Sequence, residues 1–422
     1  MFDLDHWQEI GAALAKNKLR TFLTAFGVFW GIFLLVLLLG SGNGLSNGVM
    51  TGFSGMATNS FFAWGMRTSK PYAGLPSGRS IDFTDADVAA IRAQVKDAQV
   101  VAPRLQLGGH MGTARVVRHG ETGAFNVTGD YPEIFTIQSL ILDRGRFLNR
   151  LDLEEKRKVA VVGLRVVEVL FEPGEEPIGG SFQINGVEFK VVGVFRSRQS
   201  GNQADRDLQS IYVPFTTFQQ AFNKIGEVDW MAVTSKPGVK ASVVEEQVLE
   251  ILRQRHKVAP DDRRGIGHFN LEKEFGKIQG LFTGIRLLMW IVGLGTLAAG
   301  AIGVSNILLI IVRERTREIG IRRAVGAGPW SIMGQILLEA LVLTSVAGFL
   351  GLAAGVGVLE LAASLVPATG STGGPSMFQN PSVSFGEAFR AVAILIAAGC
   401  VAGFVPAQRA IAVPPVVALR TE

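Results

Sequence analysis

Four long apolar runs interrupt an otherwise mixed sequence, at residues 22–40, 287–312, 332–366 and 388–407. A helix needs roughly 20 apolar residues to cross a hydrocarbon core of about 30 Å. The pattern therefore predicts an integral membrane protein with four transmembrane α-helices. We interpret the first run as an uncleaved span, because its apolar part exceeds the roughly 7–15 residues of a signal-peptide core and no A-x-A cleavage site follows it.

Strand and turn patterns fill the sequence between the first two runs. Residues 159–163 predict a buried strand, and residues 182–194 predict a hairpin that turns at Asn185 and Gly186. These patterns have the length and spacing of strands in a water-soluble domain rather than of membrane spans.

Helical patterns flank the predicted strands. Thr84 predicts an N-cap for a helix over 85–95, and an amphipathic helix is predicted over 241–254. The polar residues 196–207 predict a loop, while residues 269–280 are expected to continue as a helix into the second span. The insert is therefore predicted to be a large mixed α/β domain, arranged as two lobes.

Composition supports a membrane protein and argues against several other classes. Hydrophobic residues make up 48% of the chain, charged residues 18%, and the formal net charge is +5. Many basic residues flank apolar runs, which indicates membrane topology rather than nucleic-acid binding. The single cysteine, Cys400, lies in an apolar run, and the five histidines lack metal-ligand spacing. We expect no disulfide, no metal and no cofactor.

The distribution of lysine and arginine predicts the orientation of the spans. Lys16, Lys18 and Arg20 precede the first span, and Arg409 follows the last. The loop 367–386 contains no lysine or arginine. Because basic residues are enriched in cytoplasmic loops, both termini are expected in the cytoplasm of a bacterial inner membrane, with the insert outside.

Small and polar residues within the spans indicate what the spans do. Glycines one turn apart predict close helix packing but leave open whether it occurs within one chain or between copies; they are Gly27 and Gly31, Gly351 and Gly355, and Gly399 and Gly403. Polar residues such as Gln335, Glu339 and Glu360 are few. This scarcity argues against an ion or proton pathway.

A charged segment, residues 313–327, separates the second and third spans and holds five arginines and two glutamates. Read as a helix, it places Glu318 four residues before Arg322 and three after Arg315, which favours ion pairing. Gly326 and the following Gly-Pro pair are expected to end it. An ordinary positively charged loop would not need the glutamates.

These residues carry a family resemblance that extends over nearly the whole chain. The chain resembles MacB/FtsX-type ABC transporter permeases at residues 303–308 (GVSNIL), 313–327 (RERTREIGIRRAVGA), 338–340 (LEA), 17–24 (NKLRTFLT), 406–410 (PAQRA) and 415–420 (PVVALR).

The resemblance implies a permease that is driven by an ATPase. It implies a homodimer, or a pair with a related permease, and ABC ATPase subunits that dock on the cytoplasmic face. Because no phosphate-binding loop occurs in this sequence, the ATPase is expected to be a separate protein and this chain a non-catalytic subunit. The residues implied to couple it to the ATPase are Glu314, Arg315, Arg317, Glu318, Ile319, Gly320, Arg322, Arg323 and Gly326.

The predicted fold class is four transmembrane α-helices with a large mixed α/β extracytoplasmic domain between helices 1 and 2. A cytoplasmic amphipathic helix that contacts membrane lipid is predicted at 1–20, with Leu4, Trp7, Ile10 and Leu14 on one face. The remaining predicted segments are span one at 21–41, the insert at 42–280, span two at 281–312, the coupling helix and turn at 313–330, span three at 331–366, a loop at 367–386, span four at 387–408 and a tail at 409–422.

The leading hypothesis is a permease that moves its outer domain to export or extrude a substrate, by mechanical transmission across the membrane. Two alternatives stay open: an FtsX-like regulator of a cell-wall hydrolase, and a receptor or scaffold that needs no ATPase. The sequence does not identify the substrate. It also leaves open a tripartite assembly with a periplasmic adaptor and an outer-membrane channel.

Overall fold

The structure is a computed structural model that describes residues 18–53, 56–109, 112–138, 140–198, 202–365 and 378–412. It divides into two compact units. The membrane unit contains the described residues up to Gly48 and those from Leu281 onward; the outer unit contains the described residues of Val49–Gly280. The predicted amphipathic helix, most of the loop 367–386 and most of the C-terminal tail lie outside the described residues.

The described residues form helices and strands in a mixed order along the chain. The helices are α1 (Lys18–Gly52), α2 (Asp85–Gln94), α3 (Ile134–Ile137), α4 (Arg150–Glu154), α5 (Leu164–Leu170), α6 (Asn202–Leu208), α7 (Phe215–Ala221), α8 (Ala241–Arg255), α9 (Leu271–Glu314), α10 (Thr316–Ala324), α11 (Pro329–Leu365) and α12 (Phe385–Ile411). The strands are β1 (Ser60–Gly65), β2 (Phe83–Thr84), β3 (Ala98–Gln106), β4 (Ala114–Arg118), β5 (Glu121–Asp130), β6 (Leu140–Gly145), β7 (Val159–Gly163), β8 (Ser181–Ile184), β9 (Val187–Ser197), β10 (Ser210–Pro214), β11 (Glu227–Val228), β12 (Trp230–Ser235) and β13 (Ile266–Asn270).

Part of the outer unit has a split βαβ topology. Strands β1, β3, β12 and β13 lie in the order β13-β1-β12-β3, and each neighbouring pair is antiparallel. Helix α2 connects to β3, and helix α8 lies between β12 and β13 in the chain. This alternation of strands and helices is that of a ferredoxin-like fold.

A closed ring of strands is inserted between the two halves of that fold. The ring runs β5-β4-β8-β9-β7-β10, and β10 returns to pair with β5 in parallel register, Ile211 opposite Val127. Strand β3 also pairs with β5 at Leu105 and Gly129, so the two parts share one sheet. Side chains such as Val116, Ile184 and Val191 are fully buried in the core.

The local predictions for the insert are largely confirmed. Residues 159–163 form β7, and β8 and β9 form the predicted hairpin, with Asn185 and Gly186 at positive φ. Thr84 caps α2 in a capping box with Asp87. The predicted helix over 241–254 is α8, and the helix that enters the second span begins at Leu271 rather than at residue 269, because residues 269 and 270 still belong to β13.

The loop predicted over 196–207 is wrong at both ends. Strand β9 extends to Ser197, and residues 202–208 form α6. Polar composition did not prevent a helix here, since glutamine, alanine, arginine and leucine all have good helix propensity. The Ser197 hydroxyl also donates to Asp207 at 2.7 Å, which fastens the helix to the strand.

The membrane unit contains α1, α11 and α12 with most of α9, and each of these helices is long and apolar enough to cross a membrane. The glycine pairs pack within the chain. A β-carbon on Gly351 would lie 2.5 Å from the Phe29 carbonyl oxygen, and one on Gly403 would lie 2.8 Å from the β-carbon of Ala340. A β-carbon on Gly300 of α9 would lie 3.0 Å from the Gly27 carbonyl oxygen. These contacts place glycines at the α1–α9, α1–α11 and α11–α12 interfaces.

Candidate functional site

The charged segment forms a short helix with a distinct boundary at each end. The backbone leaves helical conformation at Arg315 (φ −95°, ψ 11°), between α9 and α10. Helix α10 ends before Gly326, whose φ of +103° is accessible to glycine at little cost. Helix α11 then begins at Pro329, a residue suited to a first helical turn. Helix α10 is therefore a separate element between two spans.

One side of α10 is fastened to α11 by Arg322. Its guanidinium donates to Glu318 on α10 at 2.9 Å and to Gln335 on α11 at 3.1 Å. The Glu318–Arg322 contact has the (i, i+4) spacing expected from the sequence. The second contact was not anticipated, although Gln335 stood out as a polar residue in an apolar run.

A second contact lies one helical turn further along α11. The Glu339 carboxylate lies 3.9 Å from the Arg315 guanidinium, and the Glu339 residue is only 5% exposed. A buried carboxylate is costly unless a positive charge compensates it. Arg315 supplies that charge from the junction between α9 and α10.

Helix α10 also contacts the end of the fourth span. Arg323 donates to the backbone carbonyl of Ile411 at 2.6 Å. Ile319 packs against an apolar cluster that contains Val312, Ile332 and Ala407. Side chains from α9, α10, α11 and α12 thus meet at one place in the membrane unit.

A small cavity lies among these contacts. Its volume is about 40 Å³, and its polar lining residues are Arg315, Glu318, Arg322, Gln335 and Glu339. A water molecule needs at least about 10–15 Å³ of such volume, so the cavity has room for a few waters. The cavity is too small for an organic substrate. The residues around it instead connect α9, α10 and α11.

The residues predicted to couple the chain to an ATPase divide into two sets. Exposed ones are Glu314, Arg317, Glu318 and Gly326; the half-buried or buried ones, which face the spans, are Arg315, Ile319, Gly320, Arg322 and Arg323. Apolar side chains next to the exposed set are also unprotected by this chain, with Val325 85% exposed and Trp330 78% exposed. Both residues lie within the predicted coupling helix and turn at 313–330, although neither was among the residues named as coupling residues.

Polar contacts also join the opposite ends of the spans. The Asn43 side chain of α1 donates to the Ser382 carbonyl at 3.0 Å and to Glu387 of α12 at 2.9 Å. Glu387 in turn accepts from the Ser384 backbone N–H at 3.1 Å in a capping box. These bonds hold the start of α12 against α1.

Buried acids in the outer unit are strongly hydrogen-bonded. Burial alone would raise the pKa of Asp262, but bonds donated by the Ser69 side chain and by backbone N–H groups lower it to about 2. Burial likewise opposes the ionised form of Glu245, yet bonds from Lys273, Asn270 and His268 hold its pKa below the usual value. Among the described residues, no group of histidine, cysteine and acidic side chains is arranged to hold a metal ion.

Two protein families match successive parts of the chain. The MacB-like periplasmic core domain matches residues 21–251, and the FtsX-like permease C-terminal domain matches residues 290–415.

Relatives in other bacteria match almost the whole chain. It is 32% identical to the pyoverdine export ATP-binding/permease protein PvdT of Pseudomonas putida, over 96% of this chain and 58% of PvdT. It is 30% identical to the macrolide export ATP-binding/permease protein MacB of Rhodospirillum rubrum, over 98% of this chain and 59% of that protein. The chain thus spans somewhat over half the length of these relatives.

Solved structures also match part of the chain. The periplasmic region of MacB from Actinobacillus actinomycetemcomitans matches with a TM-score of 0.43 and 19% identity, covering 54% of this chain and 95% of that one. The extracellular domain of the transporter YknZ from Gram-positive bacteria matches with a TM-score of 0.40 and 16% identity, covering 50% of this chain and 100% of that one.

Proposed function

The chain belongs to the MacB-like ABC transporter permeases, and from this premise we propose that it converts ATP hydrolysis by a separate cytoplasmic ABC ATPase into movement of its outer unit. The family assignment and the predicted fold class, four transmembrane helices with a mixed α/β extracytoplasmic domain after the first, are confirmed. The chain is therefore a multi-pass protein of the inner membrane. In this proposal both of its termini lie in the cytoplasm.

The shape and surface of α10 carry the proposal. The helix presents Arg317 and Glu318 outward, near the exposed Glu314 at the end of α9 and the exposed apolar side chains of Val325 and Trp330. Exposed apolar side chains that lie near exposed charged ones are found at many protein-binding sites. The inward face of α10 contacts α11 and α12, so a partner that binds α10 would act on these spans as well.

The spans favour transmission of force over passage of a solute. A hydrophilic pathway would need ionisable side chains at mid-depth, each costing about 2.5–3.5 kcal/mol on insertion scales. Of the described acids in these helices, Glu339 and Glu387 lie at polar contacts between helices, and Glu360 is exposed on α11. We therefore propose that substrate is handled by the outer unit and that the spans relay movement.

Export or extrusion is the activity that we propose for this movement. The relatives named above are described as exporters of pyoverdine and of macrolides, and their names include an ATP-binding function. For this chain the proposal is limited to a non-catalytic permease subunit that acts as a homodimer with an ATPase partner. Which substrate it moves is not part of the proposal.

Charge reversal on α10 tests the coupling surface. The full chain is coexpressed with the ABC ATPase encoded nearest to it, and Glu318→Arg and Arg322→Glu are each introduced. We expect loss of copurification and about a tenfold or greater fall in the ATP turnover that the permease stimulates. The matched control is Glu168→Arg, which reverses one member of an exposed pair with Arg165 at 2.8 Å in the outer unit.

Copurification and turnover separate the possible results. If both α10 variants retain the ATPase and its stimulated turnover, α10 is not the coupling surface. If the unmodified chain neither binds the ATPase nor stimulates it, the chain acts without this partner, as a receptor or scaffold would.

A further inference from the structure

The contacts between α10 and α11 form a two-step polar ladder. Gln335 and Glu339 lie four residues apart on α11 and therefore share one face. Each contacts an arginine from the facing segment, Gln335 at 3.1 Å from Arg322 and Glu339 at 3.9 Å from Arg315. The contact of Gln335 is with a residue of α10 itself, and the contact of Glu339 is with the residue at the junction between α9 and α10. Together they fix both the position and the direction of α10 relative to α11.

The backbone on the other side of the ladder is interrupted. Helical conformation breaks at Arg315, the residue that contacts Glu339. Helix α9 and helix α10 are therefore two segments that meet at a bend, not one continuous rod. Because the break at Arg315 is also a point of contact with α11, Glu339 touches the chain where α9 ends and α10 begins.

Contacts on α12 extend the same attachment. Arg323 of α10 donates to the Ile411 carbonyl, and α12 packs on α11 through Gly399 against Thr344 and Gly403 against Ala340. Helix α10 is thus held to a pair of helices that are themselves closely packed. A push on α10 would reach both members of this pair at once.

We infer that Glu339 is a positioning residue for coupling, which makes α10 and the cytoplasmic part of α11 move as one body and leaves the bend at Arg315 as the pivot toward α9. The inference rests on the proposed function, since it assigns a path to force that enters at α10. In this inference the residue that attaches α10 to α11 is Glu339, which lies outside the charged segment. A buried carboxylate is costly unless it is paired, and the Arg315 guanidinium lies 3.9 Å from it.

Spin-label distances on the full chain in lipid nanodiscs test the attachment without any partner. With Cys400 replaced by serine, labels are placed at Val325 beside α10 and at Val346 on α11, both exposed positions. The labelled chain with Glu339 unchanged should give one narrow distribution of distances between the two labels. Glu339→Gln should broaden it, whereas Glu360→Gln, the same change at an exposed position of the same helix, should leave it narrow.

ATP turnover in the presence of the ATPase tests the consequence for coupling. Glu339→Gln should keep the ATPase bound, because the exposed face of α10 is intact, while stimulated turnover falls by about tenfold. Glu360→Gln should stimulate like the unmodified chain. A binding defect and a coupling defect are thereby distinguished.

A paired variant separates positioning from simple stability. Replacing both partners by apolar residues, Arg315→Met with Glu339→Met, removes a charge pair without leaving either charge buried, so folding should be kept. We expect this variant to be as stable to heat as the unmodified chain and still deficient in stimulated turnover. A purely structural role for Glu339 predicts that turnover recovers together with stability.

Each result decides one proposal. Narrow distances and full stimulation in Glu339→Gln would overturn the positioning role while leaving the coupling surface intact. Failure of the unmodified chain to bind any ATPase would instead overturn the proposed function, whatever the label distances show. Recovery of turnover in the paired variant would assign Glu339 to stability alone.

Discussion

The outer unit and the membrane unit are packed by opposite means. The outer unit buries large aromatic side chains completely, among them Phe61, Phe189 and Phe218. The membrane unit brings backbones together at glycines, as Gly351 does against Phe29. In water, burial of apolar area drives folding. In lipid that drive between helices is absent, so close contact of small residues replaces it.

The two units also use buried acids differently. In the outer unit, Asp262 accepts hydrogen bonds from the backbone N–H groups of Ser69, Lys70 and Arg264 and so fixes the conformation of its loop. In the membrane unit, Glu339 contacts the residue at which two helices meet. One buried acid thus fixes a loop, while the other lies at the junction of α9 and α10, where the proposed coupling would act.

Removal of an aromatic ring from the outer core should have the largest effect. Phe61→Ala leaves a cavity at a fully buried position of β1 and should lower the free energy of unfolding of the outer unit by about 3–5 kcal/mol. Hydrogen-exchange protection of β1 and β12 in the full chain measures this. The helices of the membrane unit should keep their protection, because they are packed by other contacts.

The matched control for that change lies on the neighbouring strand. Phe269→Ala alters a residue of β13 that is 44% exposed and should cost far less. An equal loss of protection from both variants would show that the ring of Phe61 does not support the core as its burial indicates.

Local sequence rules predicted much of the fold because they act over a few residues. The spans followed from apolar length, the hairpin from Asn185-Gly186, and the helix start from Thr84 with Asp87. The closure of the strand ring between β10 and β5 was not predictable in this way. It joins residues distant in sequence, and no short pattern records such a pairing.

The candidate site was predictable in part for the same reason. The Glu318–Arg322 pair follows from helical spacing alone. Gln335 and Glu339 were visible as polar residues in an apolar run, but their partners depend on how α10 folds back on α11. The role of the α10 residues in coupling stays a prediction, which the charge-reversal variants test.

A methyl group at a helix contact should have the next largest effect. Gly351→Ala places a β-carbon 2.5 Å from the Phe29 carbonyl oxygen, a backbone atom that cannot rotate away. Overpacking of this kind costs about 1–3 kcal/mol, so the membrane unit should lose thermal stability in detergent. The outer strands should keep their exchange protection.

The same substitution six residues later on the same helix is the control. No atom lies within 4 Å of a β-carbon added to Gly357. Gly357→Ala should therefore be neutral or slightly stabilising, since alanine favours helix over glycine by about 1 kcal/mol. Equal destabilisation by both changes would contradict glycine packing at the α1–α11 interface.

The smallest of these effects should appear as a pH dependence in the outer unit. The Asp262 carboxyl has a pKa of about 2 in the folded chain against an ordinary value of 3.8. Because the folded-state pKa is the lower one, its contribution is complete above about pH 3.8. It is lost as the pH falls from there toward about 2. Asp262→Asn should remove about 1–2 kcal/mol at neutral pH and flatten the stability curve in that acidic window.

The neighbouring acid provides the contrast that tests this assignment. Asp261 pairs with Lys70 at the surface, where its side chain is 71% exposed, and an exposed ion pair contributes little. Asp261→Asn should therefore leave both the neutral stability and its acidic fall nearly unchanged, as measured by exchange protection of the Ser69 and Lys70 amides. If Asp261→Asn produced the larger change, the loop would be held by its surface charges. The hydrogen bonds to Asp262 would then not be what fixes the loop, and the contrast drawn between Asp262 and Glu339 would fail.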